Sequence, residues 1–290
     1  MLITNDVALI TFVPFTFTVL RLSGEEAVRK LAVPVVVLQT IAANLGSMLT
    51  PIGNPQNLYL YGKIQMSPIA FIKLMLPYSA VSLFFLFICT AVAAKHSGIA
   101  VRDVAGALQA EDAGQETAGW RRYLPVFYLI LFLLCLLTVA HMIPYPITLG
   151  IVVLGVGILD RTTIGKVDYS LLLTFVGFFI FIGNIGRMPA FCSFLQKIIE
   201  GREVVTAVAA SQVISNVPAA LLLSGFTENV KALIVGTNLG GLGTLIASMA
   251  SLIYKQVASQ IPGEKKRYFG WFTVANVGFL LPLLFINGLL

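Results

Sequence analysis

The chain has 290 residues, 58% of them hydrophobic and 11% charged, with a net charge of +6. Soluble domains carry about 25% charged residues, so this composition excludes a soluble globular protein and indicates an all-α polytopic membrane protein. The positive balance reads as loop charge that sets orientation, and no basic stripe interleaved with aromatics suggests nucleic-acid binding. Cys89, Cys135 and Cys192 are scattered through apolar sequence without CxxC or His-rich spacing, so they read as small buried hydrophobes.

Residues 1–20 have neither the charged start nor the cleavage site of a signal peptide. Thr4-Asn5-Asp6 leads directly into an apolar run, which suits a helix cap with Asp6 in the first turn. A polar turn at 21–30 precedes an interrupted apolar segment at 31–65. Residues 66–77 read as the start of an interfacial piece, with a span over about 71–94. The polar stretch 95–122 reads as a cytoplasmic connector between a first repeat, 1–94, and a second, 123–290. The second repeat holds spans at about 123–142, 147–159 and 169–186, a charged turn at 160–168 and a mixed interfacial stretch at 187–203.

Residues 204–226 are split by Ser215-Asn216-Val217-Pro218 into arms of roughly ten residues. At 1.5 Å per residue, an arm of about 15 Å reaches only halfway through a core of about 30 Å. That predicts a re-entrant hairpin with its tip at the midplane; a single Pro-kinked span is the alternative. A second interrupted segment at about 229–254 and a last span at about 269–288 complete the chain.

The two interruptions are the informative part. Asn44-Leu45-Gly46-Ser47-Met48-Leu49-Thr50-Pro51-Ile52-Gly53-Asn54-Pro55-Gln56-Asn57 lies inside apolar sequence yet breaks any helix. Asn238-Leu239-Gly240-Gly241-Leu242-Gly243-Thr244 repeats the pattern downstream. Each is preceded by an Asn-bearing tip, Thr4-Asn5-Asp6 or Ser215-Asn216-Val217-Pro218. Non-helical backbone survives at membrane depth only where protein or a polar cavity covers it, and transporters place their ion and substrate sites there. Side-chain and unwound carbonyl oxygens suit a desolvated cation, and helix N-termini at the tips suit an anion.

Threading the elements across a membrane puts Arg21, Arg29, Lys30, Lys95, Arg102, Arg121, Arg122, Arg161, Lys166, Lys255, Lys265, Lys266 and Arg267 on one side. Lys63, Lys73, Arg187, Lys197, Arg202 and Lys231 fall on the other, a division of 13 against 6 among the 19 cations. The richer side is expected to be cytoplasmic, and the asymmetry holds only if 204–226 enters and leaves on the same side. The two halves then run in opposite orientations.

These strings resemble the ion transporter superfamily that contains citrate permeases, divalent-anion/sodium symporters, arsenite efflux permeases and sodium–proton antiporters. The resemblance covers most of the chain, most specifically in the first break. It implies inverted repeats, each with a re-entrant hairpin and a broken helix, elevator-type movement and a homodimer. It makes Asn5 and Asn216 the tip residues. Gly46, Thr50, Pro51, Gly53, Asn54 and Pro55 would line the first site, and Asn238, Gly241, Gly243 and Thr244 the second, with Thr4, Asp6, Asn44, Ser47, Asn57, Ser215, Val217, Pro218 and Gly240 as their neighbours. The divalent-anion symporters carry Ser-Asn-Thr at the tip, where this chain has Thr-Asn-Asp and Ser-Asn-Val-Pro, so the match is nearer the citrate-permease and arsenite side. Because residue 4 is already the first tip, the expectation is that the N-terminal part is missing or that Met1 is an internal start.

The expected function is secondary transport of a small anion across a bacterial-type inner membrane, coupled to Na⁺ or H⁺, with no other cofactor and no metal centre. A sodium–proton antiporter or arsenite efflux permease is the alternative within the class. A membrane-embedded enzyme would need a Ser–His pair or a metal cluster, and His96 and His141 lie near no such partner. An inactive fragment is the remaining alternative. Asp6 is either a coupling carboxylate at membrane depth or a solvated terminal cap. Asn184 reads as a helix-packing hydrogen bond or a cavity residue.

Overall fold

The computed structural model describes residues 4–64, 66–97, 123–167, 169–248 and 263–289. Most of the expected connector, from residue 98, and the end of the second interrupted segment, from residue 249, lie outside the described residues. The chain divides into one unit of Met1–Val104 with Phe179–Leu290 and another of Ala105–Phe178.

The larger unit begins with α1 (Asn5–Leu22) and α2 (Glu25–Ser47). On α1 the buried side chains Asn5, Leu9, Val13, Thr16, Phe17 and Leu20 recur every three or four residues, so one stripe faces the protein and seats α1 on α2. The polar turn expected at 21–30 is only Ser23-Gly24; the rest is wound into the first turns of α2. Next come α3 (Pro55–Ile64) and α4 (Pro68–Ser97). Residues 68–97 form one continuous helix through Pro77, which corrects the expected separate interfacial piece.

In the smaller unit α5 (Leu124–Val139) packs on α6 (Tyr145–Leu159), joined by the Thr138 and Thr148 hydroxyls at 2.5 Å. The expected charged turn contains a short helix, α7 (Arg161–Ile164), before α8 (Tyr169–Ile185). There Asp160 accepts hydrogen bonds from the hydroxyls of Thr162 (2.6 Å), Thr163 (2.8 Å) and Tyr128 (2.9 Å), which hold its carboxyl well below the usual range, at about 2.

The larger unit resumes at Phe179, within α8, and continues with α9 (Pro189–Ile199), α10 (Glu203–Ile214), α11 (Asn216–Leu223), α12 (Val230–Leu239) and α13 (Lys265–Leu289). Residues 204–226 split as expected: arms of 12 and 8 residues meet at Ser215, whose φ of +74° turns the chain, and the arms pack on each other. α12 is the hub. Val230 and every residue from Leu233 to Leu239 are buried, and the helix touches α2, α3, α4, α10, α11 and α13. A helix buried all round needs no amphipathic stripe.

Among the described residues, α1, α2, α4 and α13 are long and apolar enough to cross a membrane. The chain is an all-α, multi-pass membrane protein. The cysteines are not buried as expected: Cys135 is exposed and Cys89 and Cys192 are half-exposed, because an apolar face directed at lipid looks like a core face in sequence. Asn184 is exposed and donates to the Ile180 carbonyl of its own helix at 2.9 Å, so it serves neither inter-helix packing nor a cavity.

Candidate functional site

The first break begins where α2 stops at Ser47. Pro51 removes a backbone donor, and Pro55 restarts the helix at its first position, where a missing N–H costs nothing. Between them the chain folds back so tightly that a methyl group on Gly53 would collide with the Ser47 carbonyl, so only glycine fits. Three hydrogen bonds close the loop: Gly53 N to Thr50 O (3.2 Å), Ser47 Oγ to Asn44 O (2.9 Å) and Asn57 Nδ2 to Thr50 O (3.3 Å).

The second break is held from outside. Gln212, on α10, donates from Nε2 to the carbonyls of Gly240 (3.0 Å) and Leu242 (2.9 Å), and its Oε1 accepts from Thr244 N (2.8 Å). The Thr244 hydroxyl returns a bond to the Gln212 carbonyl at 3.1 Å. Gly243 has φ of +113°, a backbone shape that disfavours a side chain, and lies against the Gln212 amide.

The two breaks cross, and the pairing is reciprocal. Asn44 Nδ2 donates to Ser248 Oγ at 3.1 Å, and Asn54 Nδ2 donates to Asn238 Oδ1 at 3.4 Å. Each pair joins the leading Asn of one break to the residue ten positions after the leading Asn of the other. In that register Thr50 matches Thr244 and Ile52 matches Ile246. An isologous contact of this kind is what a two-fold relation between repeats produces. Asn44 Nδ2 also lies 3.3 Å from the Gly241 carbonyl, and Asn238 Nδ2 donates to Asn57 Oδ1 (2.6 Å) and to the Ile234 carbonyl (2.7 Å).

Both tips reach this crossing. Asn5 Nδ2 donates to Asn44 Oδ1 at 3.1 Å, while Thr4 stands at the helix start without a side-chain capping bond. Asn216 N donates to the Ala247 carbonyl at 3.0 Å, and the Ser215 hydroxyl reaches the same carbonyl at 3.4 Å. The Asn216 amide nitrogen sits beside Gly241, 3.1 Å from where a Cβ would stand. Asn5, Asn44, Gly241 and Asn216 thus form a continuous line from one tip to the other. Val217 and Pro218, half-buried, complete the first turn of α11; Gly46 borders the first tip's cavity; Gly240 packs against Ser211 of α10. Asn54, Asn57 and Asn238 make a second polar cluster of their own.

A cavity of about 240 Å³ opens beside the first tip, lined by Asn5, Gln39, Gly46 and Ser47 among small and apolar side chains. Asn5 Oδ1 and Gln39 Oε1 are buried and accept no hydrogen bond among the described residues. Gln39 is oriented by its own amide, which donates to Thr16 Oγ1 at 2.5 Å. An unmatched buried carbonyl costs about 1–3 kcal/mol, so each of these oxygens is able to accept a cation or a hydrogen-bond donor. Asp6, next along, is half-buried, and its Oδ1 likewise accepts no bond among the described residues.

Gln39, Gln212 and Ser248 were not among the expected site residues. Ser248 was legible, since extending the register by ten positions pairs it with Asn54. Gln212 lies one helical turn before the Asn216 tip, and its only sequence signal is a polar residue in an apolar arm. Gln39 gave no signal beyond its polarity.

A model of the citrate transporter family matches residues 1–232, taking in both tips and the first break and ending ahead of Asn238. Similar proteins include the inner membrane protein YbiR of Escherichia coli strain K12, 34% identical over 261 residues, and the uncharacterized transporter MJ0456 of Methanocaldococcus jannaschii, 33% identical over 254. The matches cover 89% and 87% of this chain, which spans just under two thirds of those proteins, 66% and 65%. No solved structure matches.

Proposed function

We propose, from the premise that this chain belongs to the citrate transporter family, that it is a secondary active transporter of a small anion coupled to Na⁺ or H⁺. The observation that carries the reading is the crossing of the two breaks, with an Asn tip delivered to it from each repeat. Backbone freed from helical bonding is tolerated at membrane depth only where protein or a polar cavity covers it, and transporters place their sites at such breaks. In this reading the neutral oxygens of Asn5 and Gln39 hold the coupling cation, and the N–H groups that open α1, with that of Val217 on α11, face the anion. Asp6 is the group that a proton-coupled cycle would use.

The test is flux of labelled citrate, succinate and arsenite into proteoliposomes under imposed Na⁺ or proton gradients. Gradient-driven uptake of one anion, reduced at least about tenfold by Asn5→Ala and by Asn216→Ala, is the expected result; a loss of that size is about 1.4 kcal/mol, the scale of one hydrogen bond. Na⁺-dependent proton movement without anion flux would replace it with the antiporter reading. Arsenite extrusion alone would point to the efflux permease.

A further inference from the structure

A second cavity lies away from the crossing, on the membrane-facing side of α2, α4 and α13. It is an open groove of about 730 Å³, with Lys30 and Arg267 at one end and apolar side chains along the rest. The charged end is a true meeting of helix ends: the Arg267 guanidinium donates to the carbonyls of Arg29 (2.8 Å) and Lys30 (3.4 Å), so α2 and α13 start at the same membrane face. Ala93, also on the groove, brings the end of α4 and then Lys95 to that face. By their places at these helix ends, Arg29, Lys30, Lys95, Lys265, Lys266 and Arg267 share that face with Glu25, Glu26 and Glu264, a cationic excess on the side expected to be cytoplasmic. Lys30 pairs with Glu26 at 2.7 Å and Arg267 with Glu264 at 3.3 Å, but exposed pairs of this kind are weak and leave the cations available to a stronger anion.

Depth and chemistry fit one ligand. From Arg267 to Phe279 the groove follows α13 for twelve residues, about 18 Å, close to one leaflet of a core of about 30 Å. Trp271, one turn below Arg267, stands where interfacial aromatics sit. Ala275 and Gly278 keep the floor low, and the edge-on pair of Phe85 and Phe279, 6.2 Å between centroids, closes the far end.

We propose that this groove binds one anionic phospholipid, its phosphate between Lys30 and Arg267 and an acyl chain lying along α2, α4 and α13. Basic pockets between spans on the cytoplasmic side hold such head groups, and each cation near the surface is worth about fivefold in binding. The intact chain, stripped of lipid in neutral detergent, is titrated with phosphatidylglycerol or phosphatidylcholine, and bound lipid is counted by native mass spectrometry. Phosphatidylglycerol should be retained at least about fivefold better, and Lys30→Gln should remove roughly fivefold of its retention. Lys30 is chosen because Arg267 also ties α13 to α2. Gly278→Trp, at a position with open space above its Cα, should fill the groove and abolish retention of both lipids. Equal retention of the two lipids, or phosphatidylglycerol retention untouched by both substitutions, overturns the proposal. So does competition by inorganic phosphate at the same concentration as lipid. A dimer that Gly278→Trp dissociates while lipid retention stays constant overturns it too, giving the groove to a second copy of the chain. Should Gly278→Trp fail to fold, Lys30→Gln decides alone.

Discussion

The two breaks share a register but not a means of support. The first closes its loop with its own residues: Asn57 reaches back to the Thr50 carbonyl, Gly53 nests on Ser47, and Pro55 restarts a helix that runs on as α3. The second borrows its frame from the neighbouring arm, where one side chain, Gln212, satisfies Gly240, Leu242 and Thr244 at once. A loop closed within its own sequence holds its shape while neighbours move. One closed by another element is coupled to it, so any displacement of α10 reaches the second break directly. The difference therefore separates a half whose loop closes on its own residues from a half framed by the arm that leads to the Asn216 tip.

The largest effect should come from cutting the crossing itself. Asn238→Ala removes the partner of Asn54 and leaves the buried Asn57 Oδ1 without its donor, at a cost of about 2–4 kcal/mol. The thermal midpoint in detergent should fall accordingly, and Asn44→Ala, which frees Asn5, Gly241 and Ser248, should match it. Unequal losses would show that the reciprocal pairs are not equivalent. Gly53→Ala and Gly243→Ala sharpen the contrast. The first meets backbone that cannot yield, about 2–3 kcal/mol, whereas the second meets a movable glutamine and mainly the left-handed backbone, about 1–2 kcal/mol. Adding Gln212→Ala should relieve part of the Gly243→Ala defect and none of the Gly53→Ala defect.

Gln212→Ala alone should cost about 1–2 kcal/mol and raise amide exchange in the second break while leaving residues 48–54 protected. Equal exchange in both would refute the division of support. The smallest effect serves as a control outside both breaks. The hydroxyls of Thr162, Thr163 and Tyr128 lower the Asp160 carboxyl from an ordinary 3.8 to about 2. Its stabilising contribution is complete above the unfolded value and disappears as pH falls through the folded one. Tyr128→Phe should raise that titration, read by carboxyl NMR between pH 4 and 2, without altering exchange in either break.

Where the helices stop was legible because Pro and Gly act locally, through a missing donor, a fixed φ or an absent Cβ. Ser47, Pro51, Gly53 and Pro55 mark the first break, and Ser215 the turn between the hairpin arms, without knowledge of any neighbour. The length of each span was less legible. The continuous α4 absorbed Pro77, since a proline in a long apolar helix loses little beyond one hydrogen bond that neighbouring groups replace. Lipid-facing and core-facing apolar residues also read alike, which is why the cysteines were misplaced.

By itself, the sequence determined the membrane class, the helical architecture, the positions of both breaks and the Asn tips, because composition, periodicity and local backbone chemistry suffice for each. Tertiary structure alone decided that Asn44 meets Ser248 and Asn238 meets Asn54, that Gln212 frames the second break, and that Gln39 joins Asn5 on one cavity. Those pairs at the crossing lie up to 204 residues apart, and no local rule selects which buried amide finds which partner. Only packing the two breaks against each other decides which buried donor meets which acceptor.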